Sequence, residues 1–175
     1  MRLKVGEEYM ESNFDNSRYI NMENYNKNWY FYDEEIRVSS EDIKNIKPLS
    51  VGYSGLLWQQ YISNSNRHFM LLNSDDKLTL LEKQNYNWLD DWNNGTYDNF
   101  KNYLSRNLPY NQGDTIIVFW SKESAVETNW SIFIKHWANF LFEDEGVVLI
   151  NTTNEKVLVF CSDGVLLKGK RTSEL

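Results

Sequence analysis

Two carboxylates sit between two tryptophans in the stretch Trp88-Leu89-Asp90-Asp91-Trp92. That pairing can serve two chemistries. An indole face can hold a sugar ring while a carboxylate acts on the glycosidic bond or holds the ring's hydroxyls. Alternatively, the acids can steer a basic protein into contact while the tryptophans anchor it. Adjacent side chains of an extended segment point opposite ways, so Asp90 and Asp91 do not converge on one bond without special backbone geometry. The docking chemistry is therefore the expected one. Two further acidic runs lie beside aromatics: Asp33-Glu34-Glu35 follows Trp29 to Tyr32, and Glu143-Asp144-Glu145 follows Phe142.

Other reactive residue types are sparse. His68 and His136 are the only histidines, and His136 has neither a histidine at i+4 nor a cysteine nearby. Neither a zinc-binding helix nor a nucleophile–base pair can be read from such spacing. Nucleophile-elbow, phosphate-loop and dinucleotide glycine patterns are missing. Cys161 is the one cysteine and ends the apolar run Val157 to Cys161. An internal disulfide is thus impossible, and the thiol is expected to be buried and inert. The expectation is a non-enzymatic chain with no catalytic residue, no metal site and no cofactor.

At 175 residues and 41% hydrophobic, the chain suits one domain with a substantial core. Its 25 acidic against 18 basic residues give a formal charge of −7, which repels nucleic acid and anionic membrane. The only basic cluster, Lys168, Lys170 and Arg171, reads as a solvated tail. Seven Trp and eleven Tyr exceed what this core needs, so some should lie outside as interface anchors. Residues 1–10 lack the apolar stretch of a signal peptide, and no window reaches the ~18 apolar residues of a membrane span. A cytoplasmic protein is expected.

These residues need a scaffold. Val126, Trp130, Phe133, Trp137 and Phe140 or Leu141 recur at helical spacing, which predicts one central helix from Ala125 to Phe142. Trp29 to Tyr32 reads as a strand. Ser39 caps a short helix through Ile43 and Ile46, and Ser50 caps another whose stripe is Tyr53, Leu56, Leu57 and Tyr61. A hairpin joins Phe69–Leu72 to Leu78–Leu81, the Trp88–Trp92 stretch is a loop or short helical turn, and Thr96 caps a helix ending before Pro109. Thr115 to Trp120 is a central strand. Val147–Ile150, Val157–Phe160 and Val165–Leu167 follow through short links, the last containing Asp163-Gly164. The predicted fold class is α+β, an antiparallel β-meander packed against helices, as a single domain over residues 25–175 with an extension at 1–24.

The chain resembles a small bacterial domain family, mainly gammaproteobacterial, with no assigned activity. The likeness rests on Trp29 with its aromatic neighbours, Ile46-Lys47-Pro48-Leu49, Leu57-Trp58, Glu127-Thr128-Asn129-Trp130, Phe133, Trp137 and Asn139-Phe140-Leu141-Phe142, and spans about Tyr25 to Lys170. More loosely, its length, acidity and richness in Asn and Trp resemble immunity proteins of contact-dependent inhibition and other polymorphic toxin systems. That resemblance implies an immunity protein that occludes the active site of a cognate toxin, with a basic nuclease domain as the expected partner. The expected contacts are Asp33, Glu34, Glu35, Trp88, Asp90, Asp91, Trp92, Glu143, Asp144 and Glu145. The competing expectation is a carbohydrate-binding module or glycoside hydrolase using the Trp88–Trp92 stretch.

Overall fold

The computed structural model describes residues 18–65, 71, 76–108, 110–142 and 146–172. Runs of β-branched and aromatic residues build its centre. Strands β3 (Thr115–Ser121), β5 (Val147–Asn151) and β6 (Lys156–Phe160) are buried along almost their whole length. Four more strands, β1 (Lys47–Pro48), β2 (Leu78–Asn87), β4 (Ser124–Asn129) and β7 (Val165–Arg171), complete a seven-stranded sheet among the described residues. Its order is β1-β4-β3-β5-β6-β7-β2, and every pairing is antiparallel. The α+β class and the predicted meander are therefore present. β3 joins that meander through β5, pairing Val118 with Leu149.

Because side chains alternate along a strand, these apolar runs feed two cores. Ile116, Val118, Leu149, Leu158 and Phe160 enter one, while Ile117, Phe119, Ile150, Val157 and Val159 enter the other. The second face is covered by α3 (Val51–Tyr61), through Leu57, Trp58 and the adjoining Ile62. Ser50 caps α3 as predicted, accepting from the Tyr53 amide at 3.2 Å. Its buried stripe is rotated, however: Ser54, Leu57 and Trp58 face in, and Leu56 is 63% exposed.

The first face carries the aromatic layer. It is formed by α1 (Trp29–Tyr32), α4 (Trp88–Asn94), α5 (Tyr97–Asn107), α6 (Trp130–Lys135) and α7 (Trp137–Phe140), with the short α2 (Ser40–Ile43) at its margin. Ser39 caps α2, accepting from the Asp42 amide at 3.2 Å. That helix ends at Ile43, before Ile46, because the following residues turn into β1 and pair with β4.

Three sequence expectations are corrected. Ala125 to Phe142 is not one helix. Ala125–Asn129 lies in β4, paired with β3 and β1, and two short helices follow it. β3 needs hydrogen-bond partners on both edges, and the tight Lys122–Glu123 turn returns the chain beside it, so ladder pairing overrides the helical spacing. Asn129 then caps α6, accepting from the Ile132 amide at 3.0 Å, and His136 breaks the helix at φ −121°, ψ 26°. Trp29 to Tyr32 forms a helical turn in place of a strand. Burial there follows helical sides, with Tyr30 and Phe31 inside and Trp29 and Tyr32 exposed. Lys168, Lys170 and Arg171 belong to β7 and not to a tail; Arg171 lies 4.6 Å over the Tyr61 ring. His68, the Asn73-Ser74-Asp75 turn and all of Phe69 to Leu72 except Leu71 lie outside the described residues. None of the helices among the described residues is long and apolar enough to cross a membrane.

Candidate functional site

The four residues of α7 gather the elements that carry the acid-and-aromatic stretches. A helix this short leaves its carbonyls without helical partners, and indole N–H groups supply them. Trp92 Nε1 donates to the Ala138 carbonyl and Trp120 Nε1 to the Phe140 carbonyl, each at 2.9 Å. Trp137 on the same helix donates its own indole to the Tyr97 carbonyl, also at 2.9 Å. Asn139, 2% exposed, spends its amide nitrogen on the carbonyls of Tyr30 and Ile36, both at 2.7 Å. The loop from α1 towards α2 is thereby tied to α7 at two points six residues apart, and the acidic run Asp33-Glu34-Glu35 bulges out between them.

Phe142, just past α7, is where two distant stretches meet. Its ring centroid is 5.2 Å from Trp29 and 5.2 Å from Trp92, both edge-on, and 5.7 Å from Tyr30 in a stacked arrangement. On this rim Trp29 is 53% and Tyr32 40% exposed. Glu34 and Glu35 are exposed, and so is Asp90 on α4. The rim presents acidic and aromatic side chains to solvent. Asp33 is half-buried and builds the turn, its Oδ1 accepting from the Glu35 amide at 2.9 Å and the Ile36 amide at 3.3 Å.

The Trp88–Trp92 stretch takes the helical one of its two expected forms. It is a seven-residue helix capped by Asn87, whose Oδ1 accepts from the amides of Leu89 and Asp90, and closed by Gly95 at φ 67°. Trp88 is 2% exposed and Asp91 8%. Asp91 accepts from the Tyr86 hydroxyl, from Thr96 Oγ1 at 2.6 Å and from Asn99 Nδ2 at 3.3 Å. Burial and then the Asp91 bond push the Tyr86 phenol well above its ordinary range. Thr96, predicted as a helix cap, makes no capping bond because its hydroxyl is committed to Asp91. Of the four candidates here, Asp90 alone is exposed, with Trp92 half-buried. Trp88 offers no exposed face for a sugar to stack on, and of the two carboxylates Asp91 is buried while Asp90 is exposed. Glu143, Asp144 and Glu145 lie outside the described residues.

A second polar cluster escaped the sequence reading. Asp42 Oδ2 lies 2.7 Å from Lys135 Nζ and 2.7 Å from His136 Nε2. The hydrogen bonds from Lys135 and then His136 hold the Asp42 carboxyl at about 2. Burial lowers the His136 imidazole from its ordinary 6.5, against the opposing pull of Asp42. Asp42 lies 94 positions from His136 in the sequence, so only folding reveals the pair. Among the described residues, no group of three or more His, Cys, Asp or Glu side chains could hold a metal ion. Cys161 is buried, and burial raises its thiol above the ordinary range, as its apolar neighbours imply.

A family model described as "Protein of unknown function (DUF2947)" matches residues 19–169. No curated protein and no solved structure matches the chain.

Proposed function

We propose that this chain, which belongs to the DUF2947 family, is a non-enzymatic binding protein that docks a basic protein on the rim around Phe142. The observation that carries the reading is the meeting of Trp29 and Trp92 on one ring, each at 5.2 Å. It joins the exposed aromatics and acids of the 29–35 stretch to the α4 end of the molecule. Exposed Trp and Tyr supply large contact area at low entropic cost, and surrounding carboxylates speed the encounter with a cationic partner. The finer reading is an immunity protein that covers the active site of a cognate toxin, with a basic nuclease domain as the partner. The formal charge of −7 favours such a partner over nucleic acid. Occlusion needs no catalytic group from this chain.

The test begins at the neighbouring reading frame, where a secreted protein with a basic C-terminal toxin domain is expected, and co-expression of this chain with that domain should rescue growth. Stopped-flow association is then measured across salt concentrations. The triple variant Glu34→Lys, Glu35→Lys, Asp90→Lys is expected to associate at least ~10-fold more slowly at low salt, with a flatter salt dependence. Absence of rescue overturns the immunity reading. Rescue with an unchanged association rate and salt dependence overturns the choice of face.

A further inference from the structure

Where the α1–α2 loop passes the junction of α6 and α7, a cleft of about 180 Å³ opens among Ile36, Arg37, Tyr97, Lys135, His136 and Trp137. A cleft of this size has room for a small ion such as phosphate or sulfate. Three cationic or cation-forming groups line it in a chain of net charge −7. Arg37 is exposed, and its one contact among the described residues is a long 3.5 Å bond from Nη2 to the Tyr32 carbonyl. Lys135 gives one hydrogen to Asp42 at 2.7 Å and has two more to offer.

The geometry at His136 decides what the cleft can take. A carboxylate only accepts, so the 2.7 Å contact with ionised Asp42 puts the hydrogen on Nε2. Nδ1 then carries a lone pair and has no partner among the described residues. Burial keeps the ring neutral by lowering its affinity for a second proton. The charged and titratable groups around it are Asp42 from α2, Lys135 on its own helix, Lys101 from α5, and Arg37 and Tyr97 across the cleft. Three of these are cations and one is an anion.

We propose that the cleft is a small oxyanion site, seating a phosphate-sized tetrahedral anion among Arg37, Lys135 and His136, and that His136 takes a proton from solvent onto Nδ1 as the anion enters. The guanidinium fork matches two oxygens, the ammonium and the imidazolium meet the others, and the walls of Ile36 and Trp137 weaken the screening. Asp42 holds the hydrogen on Nε2, so Nδ1 is the nitrogen left to take the added proton. The ligand is either free phosphate or a terminal phosphate whose remainder projects from the cleft.

Sulfate, whose charge is constant near neutrality, is the first probe, followed by NMR of the His136 ring against chloride at equal ionic strength. Sulfate is expected to raise the His136 pKa and to bind more tightly as the pH falls, by up to about tenfold per pH unit. Arg37→Ala, at an exposed position, should weaken sulfate about tenfold or more, as loss of a charge-assisted bidentate contact does. His136→Gln should bind weakly with no pH dependence. Inorganic phosphate and glycerol phosphate form the second arm: tighter binding of the ester supports a terminal phosphate, tighter binding of the free ion supports phosphate itself. A His136 resonance that moves no more in sulfate than in chloride overturns the site. Wild-type affinity in Arg37→Ala, or a pH dependence retained in His136→Gln, overturns it equally.

Discussion

The stretches 29–35 and 88–92 look alike in sequence, with tryptophans beside carboxylates, yet one turns them out and the other takes them in. Trp29 is 53% exposed and Trp88 2%; Glu34 and Glu35 are exposed while Asp91 is 8% exposed. The difference lies in what the neighbouring chain offers. Around Asp91 stand three donors, from Tyr86, Thr96 and Asn99, so its charge can be buried at tolerable cost. Asp33 accepts only from backbone amides of its own turn, and Glu34 and Glu35 make no side-chain hydrogen bond, among the described residues. An acid beside an aromatic is thus left in solvent or made a structural bolt according to the donors that neighbouring elements bring to it.

The largest break in that comparison is expected at the tryptophans. Trp88→Ala should cost about 3–5 kcal/mol in denaturant unfolding, as removal of a buried aromatic does, while Trp29→Ala should cost about 1 kcal/mol or less. Equal losses would mean that the two stretches are not differently used. The acids should part next: Asp91→Ala strands three donors and should cost about 2–4 kcal/mol, against about 0.5 kcal/mol or less for Asp90→Ala. A third break lies outside the stretch. Gly164 sits at φ 90°, and a Cβ there would lie 1.9 Å from Oδ1 of Asn87, the residue that caps α4. The Trp88 amide also donates to the Gly164 carbonyl at 3.1 Å. Gly164→Ala should therefore cost about 1–3 kcal/mol and expose α4 to hydrogen exchange before the rest of the aromatic layer.

Much of the scaffold was readable because its signals are local. Ser39 and Ser50 cap helices where their spacing says they should, and the Asp163-Gly164 turn closes the β6–β7 hairpin. The strand Thr115 to Trp120 and the three runs after Val147 were readable from residue type alone. Ala125 to Phe142 was misread because its aromatic spacing suits one helix as well as a strand followed by two short helices. The decision belongs to β3, which is nearby in space but silent in the spacing. Asn129 before Trp130 was the one local signal of a new start, an N-cap residue ahead of an apolar run. At the site, the exposure of Glu34 and Glu35 was legible, since nothing nearby could bury them. The fate of Asp91 was not, because Asp91 and its partners fall on three elements whose packing fixes their distances. The Asp42 and His136 pair was invisible for the same reason at longer range.

Acid should separate the two stretches most gently, because they are held by different forces. The α1–α2 side is fastened to α6 and α7 partly through Asp42, Lys135 and His136. His136 is lowered from 6.5 in the folded chain, so its contribution to stability is complete above pH 6.5 and is lost as the pH falls through its folded value. Asp42 is lowered from 3.8 to about 2, so its own contribution is complete above pH 3.8 and is lost only as the pH falls towards 2. The first loss on acidification therefore belongs to His136, while the Asp42 carboxylate is still charged. Hydrogen exchange compared at pH 7 and pH 5 is expected to show opening of residues 36–43 and 135–139, after correction for intrinsic rates, with Trp88 to Asn99 unchanged. His136→Gln should remove most of that difference. Equal acid sensitivity of the Asp91 side would mean that buried carboxylate bonds, and not the histidine, set the response of this fold to pH.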